Sequence, residues 1–265
     1  MRGMLPLGGY VVASTRVHEC DARVKLVLLL AVTVVMFVSV SPLVIAVSVI
    51  SLAALARAAR VPASQLLRSV RPTVVVLAFA LLANAFVVDG TADVVIMGGF
   101  GLSAAGLVRG ATAVARIVLL VGFALVVSST TTGPQLADAV VSLMSPLAAF
   151  GFPVGDFAMV LSIALRFVPL AVGEFDRIMA AQRARGADLD TSSSRRLGRW
   201  AAVLVPLVVS LFRDADVLAD AMRDRCYRGE GRTRLARRLS AADVATLVCG
   251  LASAAFVCIV SALIA

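Results

Sequence analysis

Lysine is almost missing from this chain. Of 25 basic side chains in 265 residues, 24 are arginine, and Lys25 is the single lysine. Histidine is as scarce, with His18 alone, so neither a histidine-ligated metal centre nor a Ser-His-Asp set has its members. The four cysteines, Cys20, Cys226, Cys249 and Cys258, show no C-x-x-C spacing, which argues against a zinc site or a disulfide framework. Charged residues make up only 15% of the chain, against about 25% in soluble domains. No G-x-x-x-x-G-K-[ST] loop occurs, so any use of ATP belongs to a partner. The expectation is therefore no catalytic residue, no metal and no cofactor.

What fills the space is apolar. Hydrophobic residues reach 60% and mean hydropathy is +0.98. A water-soluble enzyme, a disordered tail and a fibrous repeat are excluded, and the chain is placed in a lipid bilayer. The net charge of +9 and pI of 10.8 fit basic cytoplasmic loops under the positive-inside rule, with no nucleic-acid partner expected. No cleavable signal peptide is read, because the first apolar run starts at Leu26 and leads into a second.

The runs predict an all-α membrane protein. Leu26–Val40 and Leu43–Ala56 read as a tight helical hairpin broken at Ser41-Pro42. Arg57, Arg60, Arg68 and Arg71 follow without an acid, which marks a cytoplasmic loop. Thr73–Val88 is a third span, ending in the acidic, exterior Asp89-Gly-Thr-Ala-Asp93. Val94–Val108 reads as irregular, with a short exterior helix. Ala111–Ser128 is the fourth span and Val244–Ala265 the fifth. This places a multi-pass chain in the cell membrane, amino terminus cytoplasmic and carboxyl terminus outside. Arg116 falls six residues into the fourth span, where an intramembrane function and outward snorkelling are both open.

Between the fourth and fifth spans the composition changes. Asp156–Arg238 holds 15 of the 25 cations and 10 of the 16 acids. Two apolar stretches remain inside it, Phe157–Val172 with Pro169 and Arg166, and Ala201–Phe212 with Pro206. Were both to cross, six arginines of Gly173–Trp200 would face outside, against the charge rule. They are read instead as two long helices at the inner face, each with an apolar half and a charged half. The expected division is 1–132, a four-span membrane domain; 133–241, a cytoplasmic helical region; and 242–265, a final span.

The two long helices resemble each other. Val168-Pro-Leu-Ala-Val-Gly-Glu-Phe175 aligns with Val205-Pro-Leu-Val-Val-Ser-Leu-Phe212 at an offset of 37 residues, which sets Ala184 opposite Ala221. Both also finish in similar chemistry: Gln182-Arg-Ala-Arg-Gly186 in the first, Ala221-Met-Arg-Asp-Arg-Cys-Tyr-Arg-Gly229 in the second. Glycine suits the left-handed position after a helix. Arginine in the last turn suits the negative helix end and offers a planar fork of donors. One such end is an ordinary cap; two beneath a membrane domain look like a pair of plugs for another protein. Arg166 and Glu174 lie roughly on one face, and either could pair across to the second helix. Asp214, Asp216, Asp220 and Asp224 there are suitable partners for Arg177 and Arg183. Arg166, Glu174 and Asp214 are read as structural ion-pair residues.

The chain resembles the transmembrane T component of energy-coupling factor transporters. The likeness is densest in Ser129-Thr-Thr-Thr-Gly-Pro-Gln-Leu-Ala137, Pro146-Leu147, Leu165-Arg-Phe-Val-Pro-Leu170 and Glu174. It continues through Asp176-Arg-Ile-Met-Ala-Ala-Gln182, Arg185-Gly186 and Arg225-Cys-Tyr227. Cys20-Asp-Ala-Arg-Val-Lys25 is similar to the family's Asp-Pro-Arg-x-Lys lead into the first span, with Ala22 in place of proline.

The resemblance implies about five transmembrane helices, two long coupling helices at the cytoplasmic face and a short helix before them. It implies a non-catalytic permease subunit joining two ABC-type ATPases to a small membrane S component that captures a vitamin or transition metal. Ala184-Arg185-Gly186 would dock in one ATPase. A second motif around Ala221, Arg225, Cys226, Tyr227 and Gly229 would dock in the other, with Arg223 and Arg228 as neighbouring candidates for the anchor. The apolar halves, with Phe157, Leu161, Leu165, Pro169, Val203, Pro206 and Val209, would form the platform for the S component. Two other classes compete. A self-sufficient secondary transporter would want repeats and ionisable groups at mid-membrane, and a membrane-embedded transferase would want clustered aspartates.

Overall fold

A computed structural model describes residues 15–38, 41–87, 94–97, 100–102, 104–187, 196–227 and 240–264. Gly229, Arg228, the acidic 89–93 segment and the serine-rich turn after Gly186 lie outside these. Helices carry the fold. They are α1 (Arg16–Glu19), α2 (Ala22–Val38), α3 (Pro42–Ala58), α4 (Ala63–Val70), α5 (Val74–Ala85), α6 (Ala104–Thr130), α7 (Gly133–Leu143), α8 (Val154–Ala184), α9 (Arg196–Asp224) and α10 (Ala241–Ile264). The chain divides into two compact units, Met1–Ala139 with Arg237–Ala265, and Val140–Ala236.

The first unit is built on α2, α3, α5, α6 and α10. Pro42 starts α3 at the position where its missing N–H is harmless, and Ser41 caps it by accepting from the Leu43 amide at 3.4 Å. Lipid offers apolar side chains nothing worse than protein does, so these helices associate through close packing. Met36, Leu119 and Phe123 form one buried cluster, and Ala56, Ala59, Val61 and Val126 another. Gly250 lets α10 approach α2 so closely that a Cβ there would collide with Leu28. Gly122 does the same for α6 against Leu52 of α3.

Residues 94–108 depart from the expected exterior helix. Val94–Met97 and Phe100–Leu102 are strands (β2 and β3) which, with Phe86–Val87 (β1), form an antiparallel sheet in the order β1-β3-β2. Met97 pairs with Phe100. A β-branched run ended by Gly-Gly is a hairpin signal. The fourth helix then starts at Ala104 rather than Ala111, which puts Arg116 about 18 Å along it. The Arg116 guanidinium lies over the Phe37 ring of α2, 5.9 Å from its centroid.

Among the described residues, four helical segments are long and apolar enough to cross a membrane: Leu67–Asn84, Ala105–Thr130, Val154–Ala184 and Ala241–Val260. Leu43–Ala58 is apolar but shorter. The chain is an all-α multi-pass membrane protein in which the small sheet is an appendage. In the second unit, α8 and α9 run 31 and 29 residues with Pro169 and Pro206 inside them, after a 3-10 turn at Ser145–Phe150.

Candidate functional site: two arginine-tipped helix ends

The two long helices close in the same way, bond for bond. At the end of α8 the Arg185 amide donates to the Ala181 carbonyl at 3.2 Å, Gly186 to Arg183 at 3.0 Å, and Ala187 to Gln182 at 3.0 Å. At the end of α9, Arg225 donates to Ala221 at 3.3 Å, Cys226 to Arg223 at 2.9 Å, and Tyr227 to Met222 at 3.0 Å. This is the Schellman closure, in which the residue after the cap turns left-handed and the last carbonyls are satisfied. Gly186 has φ +83° and Cys226 φ +53°.

Arg185 and Arg225 therefore occupy one position in two copies of one motif, and Cys226 stands where Gly186 stands. The register is 40 residues, not the 37 that matches the prolines. Ala221 consequently corresponds to Ala181 and not to Ala184, whose counterpart is Asp224. The second tip stands about one helical turn further from its proline than the first.

Closure alone does not mark a docking site, because α3 ends identically. There Arg60 (φ +55°) donates to Arg57 at 3.1 Å, and Val61 donates to Ala56 at 3.0 Å. The difference is what surrounds the turn. Ala59 and Val61 are buried in the first unit's core, whereas Ala184, Arg185, Gly186, Ala221, Arg225, Cys226 and Tyr227 are all exposed. Arg223 is spoken for by Asp220 on its own helix, at 3.1 Å.

Above the tips, α8 and α9 pack through Phe175 stacked on Trp200, centroids 6.3 Å apart, and through Gln182 Nε2 donating to the Ala202 carbonyl at 3.2 Å. Val203 is fully buried, so it packs the protein and presents no surface; this corrects its place among platform residues. Phe157, Pro169, Pro206 and Val209 are exposed, and Leu161 and Leu165 half-buried. The ion pairs described on these helices run along a single helix. Glu174 pairs with Arg177 one turn along its own helix, and Asp220 likewise with Arg223. Arg166 and Asp214 are exposed and make no ion pair among the described residues. One turn of helix brings such partners together without the entropy of holding two helices in register.

A second polar site, unread in the sequence except for its first residues, lies in the first unit. Lys25, buried on α2, donates from Nζ to the Thr130 carbonyl at 2.9 Å and to Thr131 Oγ1 at 3.4 Å. Asp243, buried on α10, accepts the Asp21 amide on Oδ1 and the Ser240 amide on Oδ2, each at 3.1 Å. Cys20 sits beside Asp243, its Sγ 3.8 Å from Thr246 Oγ1; burial pushes its thiol above the ordinary range against the opposing pull of that hydrogen bond. Ser240 three residues before Asp243 is a capping-box spacing that the sequence did offer. Among the described residues no three His, Cys, Asp or Glu side chains converge as metal ligands would.

The fold is that of a multi-pass helical membrane protein, and comparison with known proteins gives its class, a transmembrane subunit of energy-coupling factor transporters. The chain belongs to the family described as CbiQ, cobalt transport protein, whose model matches residues 13–235. It is 41% identical over 231 residues to the energy-coupling factor transporter transmembrane protein EcfT of Thermanaerovibrio acidaminovorans, covering 86% of each chain. The EcfT proteins of Heliobacterium modesticaldum and Streptococcus thermophilus are 36% and 34% identical, over 87% of each chain and over 89% of this chain and 90% of the relative.

Proposed function

We propose that this chain couples ATP hydrolysis in two partner ATPases to a substrate-capturing membrane subunit, for uptake of a vitamin or a transition metal. The observation that carries the reading is the duplicated closure at Arg185 and Arg225. Two separate helices present the same guanidinium, on the same turn, to solvent. A pair of homologous partners with like grooves would accept such a pair. Arginine suits the task because its rigid five-donor fork meets a carboxylate or backbone carbonyls in one orientation. Chemistry stays with the ATPases, and this chain is non-catalytic.

In this reading the first unit is the membrane domain. Residues 133–241 form a cytoplasmic coupling region, and 242–265 the returning span. The amino terminus and both tips are cytoplasmic, in keeping with the cations of the Arg57–Arg71 loop and of the tips. The apolar halves of α8 and α9, rich in exposed Val160, Leu170, Val205 and Phe212, receive the capture subunit by apolar contact, which permits sliding and exchange. Although α8 is long enough to cross a bilayer, its charges from Arg166 to Arg183 favour the inner face.

Tagged wild-type chain and an Arg185→Glu/Arg225→Glu variant, each extracted gently from native membranes, test this. Two ATPases should copurify with the wild type and be lost from the variant, on the order of a thousandfold, since each buried charge-assisted contact reversed removes at least 2–5 kcal/mol. A small apolar protein should remain with both. A wild-type chain that comes down alone and still moves a solute in proteoliposomes would establish the secondary-transporter alternative instead.

A further inference from the structure

Between Asp21 and Asp89 the chain has no acidic residue, yet within that stretch stand Arg57, Arg60, Arg68 and Arg71. All four are exposed, and none makes an ion pair among the described residues. The elements around them bring no counter-charge. Both α3 and α4 pack on α6, which has no acid. Helix α10, which touches α3, has only Asp243, buried and already accepting two amides. Glu19 of α1 has a partner of its own.

These arginines stand where apolar helices end. Arg57 lies in the last turn of α3, whose segment Leu43–Ala58 is apolar, while Arg68 and Arg71 open the membrane-length segment Leu67–Asn84. At most about 10 Å of extended chain separates Arg60 from Ala63, and the eight residues of α4 add about 12 Å. That link is shorter than a hydrocarbon core of about 30 Å, so both segments turn their arginines to one face of the bilayer. Arg60 is held there by its neighbours. Ala59 and Val61 are buried with Ala56 and Val126, whereas Arg60 is exposed, in the left-handed conformation that a glycine takes at Gly186. A side chain is disfavoured in that conformation, and an arginine occupies it all the same.

An apolar stripe continues from Arg71. Val75, Phe79 and Leu82 share roughly one helix face with it, and all three are exposed. Guanidinium groups at the head of an exposed apolar stripe match the layout of a phospholipid, phosphate at one end and acyl chain along the other. A free phosphate or an acidic protein segment would use the arginines and leave the stripe empty. The planar fork of arginine meets phosphate oxygens two at a time, and basic clusters at the end of a membrane helix draw anionic lipids.

We propose that Arg57, Arg60, Arg68 and Arg71 form a site for an anionic phospholipid, with its phosphate among the guanidinium groups and an acyl chain along Val75, Phe79 and Leu82. The site needs only the membrane class of the chain and is independent of the coupling reading.

Native mass spectrometry of the full chain in detergent, titrated with phosphatidylglycerol and separately with phosphatidylcholine, tests this. The first phosphatidylglycerol should bind at least about tenfold more tightly than phosphatidylcholine, since each arginine near an anionic headgroup contributes roughly a fivefold factor. Changing all four arginines to glutamine should erase the preference while leaving the helical circular dichroism spectrum and its melting unchanged. Removing as many charges from the other unit, with Arg166, Arg177, Arg213 and Arg223 each changed to glutamine, should preserve it. Val75→Ser/Phe79→Ser should weaken both lipids, and millimolar inorganic phosphate should not displace phosphatidylglycerol. Equal affinity of the wild type for the two lipids overturns the site, and equal losses in the two four-glutamine variants reduce it to net charge. Displacement by phosphate, with no effect of the serine changes, would make it an anion site and not a lipid site. Absence of any lipid preference, with a protein from native membranes copurifying with the wild type and lost only from the Arg57–Arg71 variant, would assign the cluster to a protein contact instead.

Discussion

The two units are held by opposite means. In the first, polar groups are buried and bonded across great sequence distance: Lys25 reaches Thr130, and Asp243 reaches Asp21. Its helices interlock at glycines, where α10 meets α2 and α6 meets α3. In the second, the ion pairs among the described residues lie within single helices and in solvent, and the described seam between α8 and α9 holds one ring stack and one side-chain amide bond. Phe150 is 90% exposed and Phe212 68%. The first unit has satisfied its polar groups and found its own packing. The second has a thin seam, and both units turn large apolar side chains outward, Val75 at 77% and Phe79 at 73% in the first as much as Phe212 in the second.

The sharpest way to break the contrast is to attack the little core that the second unit has. Val203→Asp would bury a charge with no partner and should lower that unit's stability by about 3 kcal/mol or more. Val209→Asp, on the exposed side, should leave it within about 0.5 kcal/mol. Trp200 is the only tryptophan and sits in the α8–α9 seam, so its fluorescence during thermal unfolding reads this unit alone. Equal effects of the two substitutions would show that the seam has no core.

In the first unit the matching attack is Gly250→Leu, which drives a side chain into Leu28. A loss of about 1–3 kcal/mol follows from overpacking, seen in the helical circular dichroism transition and not in the Trp200 signal. Were both signals to shift together, the division into two units would be wrong in energetic terms.

Smaller effects test the caps. Cys226 holds a left-handed conformation that an L side chain disfavours by roughly 1–2 kcal/mol, so Cys226→Gly should slow exchange in the last turn of α9. Gly186→Ala should do the reverse at α8, by about 1 kcal/mol. If ATPase recovery survives both changes, the arginines and not the closure make the contact. Smallest of all, Glu174→Ala should shift the Trp200 transition by less than about 0.5 kcal/mol, since exposed pairs within a helix contribute little. A larger shift would mean that Glu174 works between helices after all.

Much of this was legible because helices in lipid are written in composition. The apolar runs, the break at Ser41-Pro42 and the glycine after Arg185 all act through the local backbone, and each appears where residue chemistry puts it. Residues 94–102 were misread for a correctable reason: Val94, Val95 and Ile96 before Gly98-Gly99 are strand and turn chemistry, and the pull of neighbouring apolar segments hid it. The repeat was aligned at the prolines, and only the hydrogen bonds of the caps show that the tips keep a register of 40. The fourth helix starts seven residues before its apolar run, because Ala104–Gly110 is compatible with helix without being a continuous apolar stretch.

The sequence alone determined the membrane class, the helical runs, the arginine at each tip and the absence of a nucleotide loop or metal-ligand set. These follow from composition and from contacts spanning a few residues. Tertiary structure decided which polar groups meet: that Lys25 ends on α6, that Asp243 joins α2 to α10, that Val203 is interior and that Glu174 stays on its own helix. Those pairings join residues more than a hundred positions apart, or choose between partners of equal chemistry. No local propensity encodes such a choice; only the packing of helices in three dimensions does.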